Sequence, residues 1–269
     1  MMSQESHQPF FSIIVVSLNA EQYIGSTIAS IQRQSFDDYE VVIKDGCSKD
    51  KTLSFVPRDD KRFCTYQIPD KSLYQAMNQA IERSTGKYLI FMNCGDCFAS
   101  ETVLEKVYQD LKNDECVFCY GDYVRDGILH NQPERLTSFY MYRTPLCHQT
   151  IFFNGDVLRS GHQYDEEYQI LADYDLELRL WKDCKTQHLN VVVCEYQGGG
   201  VSESKAGIKK KSMERGKIIQ KSFSIKERIL FWFKYHITFP KLRTFLMYSD
   251  KTPSWIKKFY QSIVNRING

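Results

Sequence analysis

The sequence predicts an α/β fold: a Rossmann-like, mostly parallel central sheet flanked by helices, with a helical C-terminal extension. Three observations predict it. Short β-branched runs alternate with helix-length stretches that are apolar on one face. Polar residues with chemical potential stand directly after the apolar runs. The charge is divided unevenly. The 269 residues sum to only +2. Residues 1–204 nevertheless carry 19 Lys+Arg against 30 Asp+Glu, and residues 205–269 carry 16 against 3. An acidic body of net −11 thus precedes a basic tail of net +13, and such asymmetry points to an interaction surface. The expected division is therefore 1–204 and 205–269. A content of 42% hydrophobic and 25% charged residues excludes a collagen-like, disordered or mucin-like chain.

The elements follow in order. Phe11–Ser17 is an apolar, β-branched run and reads as a buried strand. A helix is expected over 20–34, with Ile24, Ile28 and Ile31 on one face. Tyr39–Asp45 is a second strand, closed by Gly46, and Phe63–Ile68 a third. Ser72 is the expected N-cap of a helix to Ser84. Gly86 breaks that helix before a strand at Tyr88–Met92. Ser100 is the expected cap of a helix to Leu111, and Val117–Tyr120 is a fifth strand. Beyond it, 148–153 and 188–193 read as strands, and 171–181 as a helix with Leu176, Leu180 and Trp181 inward. Strand–helix alternation implies a covered parallel sheet whose ligands collect at the carboxyl ends of the strands.

Several classes are disfavoured. No GxGxxG follows the first strand and no GxxxxGK[ST] occurs, which argues against a dinucleotide or P-loop site. Cys94-x-x-Cys97 and Cys116-x-x-Cys119 have zinc-ribbon spacing. The second pair, however, lies in a strand-like run, where residues three apart face opposite ways. The nine cysteines are expected to be reduced thiols. No run of 18 uncharged apolar residues occurs, and residues 1–9 hold no apolar signal core. The expectation is a cytoplasmic protein, peripheral on the inner face of the cell membrane.

Three strand ends carry the candidate site: Ser17-Leu-Asn19-Ala-Glu21, Asp45-Gly-Cys-Ser-Lys-Asp50 and Asn93-Cys-Gly95-Asp96. Each has a plain alternative. Ser17 and Asn19 can cap the first helix, Asp45-Gly46 can be a turn, and Asp96 can be a loop acid. Together they fall on one edge of one sheet. There one Asp can accept hydrogen bonds from a base or ribose, and another can bind a divalent cation through oxygen.

These residues carry a resemblance. Phe11–Asn19, Gln32–Asp50, Asp70–Asn78 and Gly86–Asp96, in that order and spacing, resemble the inverting family 2 glycosyltransferases, which have the A-type nucleotide-sugar-binding fold. The resemblance covers about residues 10–200. His148-Gln149 and Ala172–Arg179 resemble the enzymes that build bacterial surface polysaccharides. It implies transfer of a sugar from a nucleotide-sugar, with UDP-sugar the expected donor class, to a hydroxyl of a glycan or polyprenyl-linked acceptor. It places Ser17, Asn19 and Glu21 near the nucleotide, and Asp45 on the uracil or ribose. Asp70 and Lys71 border the pocket. Asn93–Asp96 takes the place of the metal-binding Asp-x-Asp motif, with Asp96 as the remaining carboxylate for Mg²⁺ or Mn²⁺. Asn93, Gly95, His148 and Gln149 are expected at the donor or acceptor, a structural His148 being the alternative. Asp173 is the implied base, with Asp175 the alternative, and capping of the following helix is compatible with that role. Residues 198–202 resemble a loop that closes over the donor, a plain surface loop being the alternative. A non-catalytic nucleotide-sugar-binding scaffold and a nucleotidyltransferase are the rival readings. The latter lacks its Gly-rich triphosphate loop.

The tail mixes Lys209-Lys210-Lys211 and Lys257-Lys258 with many aromatics, in helix-length segments around 212–236 and 254–267. That composition suits an anionic membrane interface, while packing on the body and a solvated lysine face are the alternatives. No base-reading motif supports nucleic-acid binding.

Overall fold

The computed structural model describes residues 7–113, 116–198, 205–237, 253 and 255–256. They divide into two compact units, Met1–Arg135 with Pro145–Glu214, and Leu136–Thr144 with Arg215–Gly269. The division falls inside a helix, ten residues beyond the 204/205 boundary that the charge suggests.

The first unit contains a mixed sheet. Its strands are β1 (Phe11–Ser17), β2 (Tyr39–Asp45), β3 (Phe63–Gln67), β4 (Tyr88–Phe91), β5 (Cys97–Phe98), β6 (Phe118–Arg125), β7 (Ile128–His130), β8 (Ile151–Asn154) and β9 (Thr186–Tyr196). Their order is β3-β2-β1-β4-β8-β6-β9-β5, with β7 paired to β6. The β3-β2-β1-β4 half is parallel. β8 enters antiparallel to both β4 and β6, and β9 runs parallel to β6. In register, Ser17 lies opposite Asp45 and Asp45 opposite Gln67, so three strands end flush at one edge.

The helices are α1 (Ile24–Gln32), α2 (Leu73–Ile81), α3 (Val103–Leu111), α5 (Gly155–Arg159), α6 (Ala172–Asp183) and the start of α7 (Lys205–Ser222), with α4 (Ser138–Arg143) belonging to the second unit. Phe11, Ile13 and Val15 bury one face of β1 in a cluster with Ile24, Ile28 and Ile31 of α1 and Val103, Val107 and Leu111 of α3. Burying each such side chain stabilises the fold by about 1.5–3 kcal/mol. On the alternate positions Ile14, Val42 and Leu89 are also buried, which is why these strands read as continuous apolar runs rather than alternating ones.

The structure departs from the sequence reading in local places. α1 starts at Ile24, not 20. Asn19 has a left-handed backbone (φ 50°), and Tyr23 and Ile24 N–H both donate to the Ala20 carbonyl, which makes a turn. Ser17 and Asn19 therefore do not cap α1, whose N-cap Tyr23 makes no side-chain cap bond. Ser100 does not cap α3 either, because that helix begins after Thr102. Ser72 does cap α2, accepting from Gln75 N–H. Residues 148–150 form a 3₁₀ turn before β8. Leu176 and Leu180 are buried, whereas Trp181 is only half-buried. All nine cysteines are free thiols. Among the described residues no helix is long and apolar enough to cross a membrane.

The second unit packs α4 against α8 (Ile225–Ile237). Phe139, Phe223, Phe231 and Tyr142 form its aromatic centre, with ring centroids 5.3–5.9 Å apart. Lys257, Lys258 and most of 238–269 lie outside the described residues, as does the candidate closing loop beyond Gly198.

Candidate active site

Two of the three strand ends meet as the register requires, with Ser17 opposite Asp45. Asp45 is fully buried. Its Oδ1 accepts from Ser48 N–H (2.7 Å), and its Oδ2 from the Ser17 hydroxyl (3.0 Å) and the Ser48 hydroxyl (2.5 Å). This carboxylate organises the loop after β2. That loop in turn holds the turn after β1. Ser48 Oγ accepts from Asn19 N–H, Asp50 Oδ2 from Glu21 N–H and Thr52 Oγ1 from Ala20 N–H. Asn19 Oδ1 and Glu21 Oε2 return the bonds by accepting from Lys49 and Lys51 N–H. The polar residues of both segments thus satisfy backbone donors that no helix or strand would.

Asp70 forms an ion pair with Lys44 of β2, whose side chain is 0% exposed against 13% for Asp70. Gly46 makes room for it, since a Cβ there would lie 2.8 Å from Asp70 Oδ2. Lys71 is exposed beside it. Sequence reading passed over Lys44; the signal was a lysine inside an otherwise apolar strand.

The next segment, Asn93–Asp96, runs from β4 at the sheet centre to β5 at its edge. Thr27 of α1 clamps it. The Thr27 hydroxyl donates to the Asp96 carbonyl (2.8 Å) and accepts from Gly95 N–H (2.9 Å). Gly95 has φ +106°, which favours glycine. Asp96 is 4% exposed. Gln149 Nε2 donates to its Oδ2 and Gln197 N–H to its Oδ1, both at 2.9 Å. Burial raises its pKa, and the bonds from Gln197, Gln149 and Asn93 oppose that shift. Three donors leave at least one of the roughly four lone-pair sites of this carboxylate open, enough for one bond to a divalent cation. No cluster of three or more His, Cys, Asp or Glu residues suited to a metal occurs among the described residues. The described residues of this segment therefore offer one carboxylate rather than a cage.

His148 and Gln149 are consecutive, and both are buried. While Gln149 reaches Asp96, His148 Nε2 lies 2.7 Å from the Tyr164 hydroxyl. Burial lowers the His148 pKa against the pull of Asp173, which keeps the ring neutral at pH 7. Tyr164 stacks on Tyr74 at 5.5 Å. The Tyr74 hydroxyl stands 2.7 Å from the Ile170 carbonyl and 3.2 Å from Asp173 Oδ1. Asp173 sits half-buried in the first turn of α6. Asp175 differs: it is fully buried and paired with Arg179 at 2.8 Å. Glu177, one turn beyond Asp173, is fully buried with Oε2 accepting from Leu146 N–H (2.9 Å) and Oε1 unpartnered. Burial, reinforced by Asp173, raises its pKa well above the carboxylate range.

Glu214 of α7 was also missed. Its carboxylate accepts from the N–H groups of Gln169, Ile170 and Leu171, immediately before α6. It is one of only three acids in the basic tail, yet it belongs to the first unit.

The model of the family described as glycosyl transferase family 2 matches residues 12–164, more than half the chain. The chain belongs to this family. The match spans the β1, β2 and β4 strand ends and stops short of α6. A PGL/p-HBAD biosynthesis glycosyltransferase of Mycobacterium bovis is 28% identical over 214 residues, covering 73% of this chain and 80% of that protein. A putative teichuronic acid biosynthesis glycosyltransferase of Bacillus subtilis, TuaG, is 30% identical over 142 residues, 48% of this chain and 56% of that one. Among solved structures, S. aureus TarS 1–349 in complex with UDP-GlcNAc superposes with a TM-score of 0.67 at 16% identity, over 96% of this chain and 80% of that one. A Pyrobaculum calidifontis mannosyltransferase in complex with GDP-Man and Mn²⁺ superposes at 0.58 and 16% identity, over 96% and 70%. The family 2 glycosyltransferase is thus an enzyme of A-type fold with a mixed sheet.

Proposed function

We propose that this glycosyltransferase moves a sugar from a UDP-sugar, with inversion, to a hydroxyl of a glycan or polyprenyl-linked acceptor in surface-polysaccharide synthesis. The observation that carries it is the junction His148-Gln149. One residue orients Asp96, and its neighbour belongs to the buried cluster around Asp173. One turn thus supports Asp96 directly and, through Tyr164 stacked on Tyr74, the surroundings of Asp173.

In this reading Ser17, Asn19, Glu21, Asp70 and Lys71 border the nucleotide, with Asp45 behind them as the brace of both loops. Asn93, Gly95 and Gln149 line the donor side. Asp96 holds Mg²⁺ or Mn²⁺, which when bound supplies positive charge against the leaving diphosphate. Asp173 accepts the proton of the acceptor hydroxyl. Its exposure, against the complete burial and Arg179 pairing of Asp175, favours it as the base. The names of the mycobacterial and B. subtilis relatives and the UDP-GlcNAc bound to TarS support the donor and the setting. UDP release from UDP-sugars with Mn²⁺ tests it. Asp96→Ala should abolish release, whereas a chain that binds UDP-sugar without releasing UDP is a scaffold.

The second unit is proposed as a contact with an anionic, cytoplasmic-side membrane. On α8, Ile225, Ile229, Leu230, Trp232 and Phe233 are 50–67% exposed among Lys226 and Arg228, the composition of an interfacial helix. Co-sedimentation with anionic vesicles should fall when Trp232 and Phe233 are replaced by serine, and equal partitioning counts against the contact.

A further inference from the structure

A cavity of about 370 Å³ opens beside the Asn93–Asp96 segment, lined by Gly95, Cys97, Val124, Asp126, Gly127, Glu195, Tyr196 and Gln197. It is built by the β6–β7 hairpin and the end of β9. Its volume is at the low end for small-molecule sites. We propose that this cavity is a carbohydrate subsite, placed to hold part of the acceptor glycan next to the donor diphosphate. The inference rests on the glycosyltransferase reading and extends it to a place and a ligand class.

Three features argue for a neutral, hydroxyl-rich occupant. The first is the aromatic wall. Tyr196 is braced by the Arg125 guanidinium, 5.2 Å over its ring, and by Tyr123, edge-to-face at 6.5 Å. Tyr123 in turn stacks on His130 at 4.9 Å and 7°. Held by these neighbours on β6, β7 and β9, Tyr196 presents to the cavity a fixed, partly exposed aromatic side chain, the kind that meets the C–H face of a pyranose. The second is the polar rim. Exposed Asp126 and Glu195 bring two carboxylates, acceptors only, and Gln197 brings an amide. Sugar hydroxyls donate to such groups. No Lys or Arg is among the lining residues, and the neighbouring Arg125 is already paired with Asp126 at 3.6 Å, so a phosphate or nucleotide is a poor occupant. The third is proximity. The Gln197 N–H holds Asp96 Oδ1, and its side chain presses on Gly95, where an added Cβ would meet Gln197 Oε1. The cavity and the diphosphate-facing carboxylate therefore share a residue.

The test is saturation-transfer NMR on the full chain with methyl glycosides of glucose, galactose, N-acetylglucosamine and rhamnose, without donor. At least one should bind, with transfer strongest at the protons of its apolar ring face. Tyr196→Ala should weaken binding up to about tenfold, the scale of one aromatic stacking contact, and Tyr196→Phe should retain it. Asp126→Asn with Glu195→Gln should weaken it further. UDP-sugar KM should stay unchanged in all of them. Overturning results are binding of no glycoside, binding indifferent to these variants, or a changed UDP-sugar KM with unchanged glycoside binding. Because glycoside binding is read without donor, loss of UDP release in the native chain would count against the donor chemistry alone, and retained binding would still support the subsite.

Discussion

Replacing Asp70 by asparagine should destabilise the first unit rather than merely loosen the nucleotide. Lys44 is 0% exposed in β2, between β1 and β3, and Asp70 faces it with 13% of its side chain exposed. Removing the carboxylate charge leaves the ammonium buried beside a neutral amide. Breaking one partner of a buried pair costs about 3–5 kcal/mol. For a unit of this size that corresponds to a fall in Tm of roughly 6–20 °C. Pairing Asp70→Asn with Lys44→Met removes both charges and should recover most of the loss, to within about 1–2 kcal/mol of the native chain. Gly46→Ala should reproduce part of it, because the new Cβ would lie 2.8 Å from Asp70 Oδ2. Thermal unfolding followed by circular dichroism at neutral pH reads all three, with UDP binding measured alongside. If Asp70→Asn melts within about 2 °C of the native chain, less than 1 kcal/mol on this scale, and UDP binding is lost, the ion-pair argument is refuted. Asp70 then acts by touching the nucleotide.

The remaining predictions concern α6 and its surroundings. Asp173→Asn should lower the transfer rate by about 10²–10⁴-fold, the usual contribution of a positioned base, while UDP binding stays close to native; retained turnover would transfer the role elsewhere. Glu177→Gln should flatten the dependence of stability on pH. The folded-state pKa of Glu177 is raised, so its contribution is complete below the ordinary value of 4.5 and is lost as pH rises towards the folded value. Melting curves should show the variant gaining on the native chain as pH climbs above 4.5; parallel curves would contradict this. Glu214→Ala strips three backbone N–H groups of a charged partner and should cost about 2–4 kcal/mol in urea titrations. Glu214→Gln should lie between.

The parallel half of the sheet was legible because strands buried on both faces read as unbroken apolar runs, as in Phe11–Ser17 and Tyr39–Asp45. Their polar ends brought Ser17 and Asp45 into view, and the end of the Tyr88–Met92 run did the same for Asp96. β5 and β7 were not legible: two and three residues long, they exist through pairing with β9 and β6 rather than through any pattern of their own. The start of α1 was misplaced because Asn19 and Ala20 are held by side chains about thirty residues away. The polar residues after the strands were legible as a group, but not their division of labour. Asp45 and Asp70 look alike in sequence, yet one braces a loop and the other neutralises a lysine. Gln197 and Glu214 carried no local signal, since each acts through a contact more than forty residues distant.

The long reach of those two contacts has a consequence during synthesis. Asp96 and the strand ends leave the ribosome early, but the Asp96 carboxylate receives its second donor from a residue 101 positions later. The segment leading into α6 waits for Glu214. A nascent chain can therefore complete the β1–β4 scaffold, with Asp45 and Asp70 already partnered, long before Asp96 gains the Gln197 donor. Chains aborted before residue 214 would carry the loops after β1 and β2 complete but leave the N–H groups of Gln169, Ile170 and Leu171 without their carboxylate.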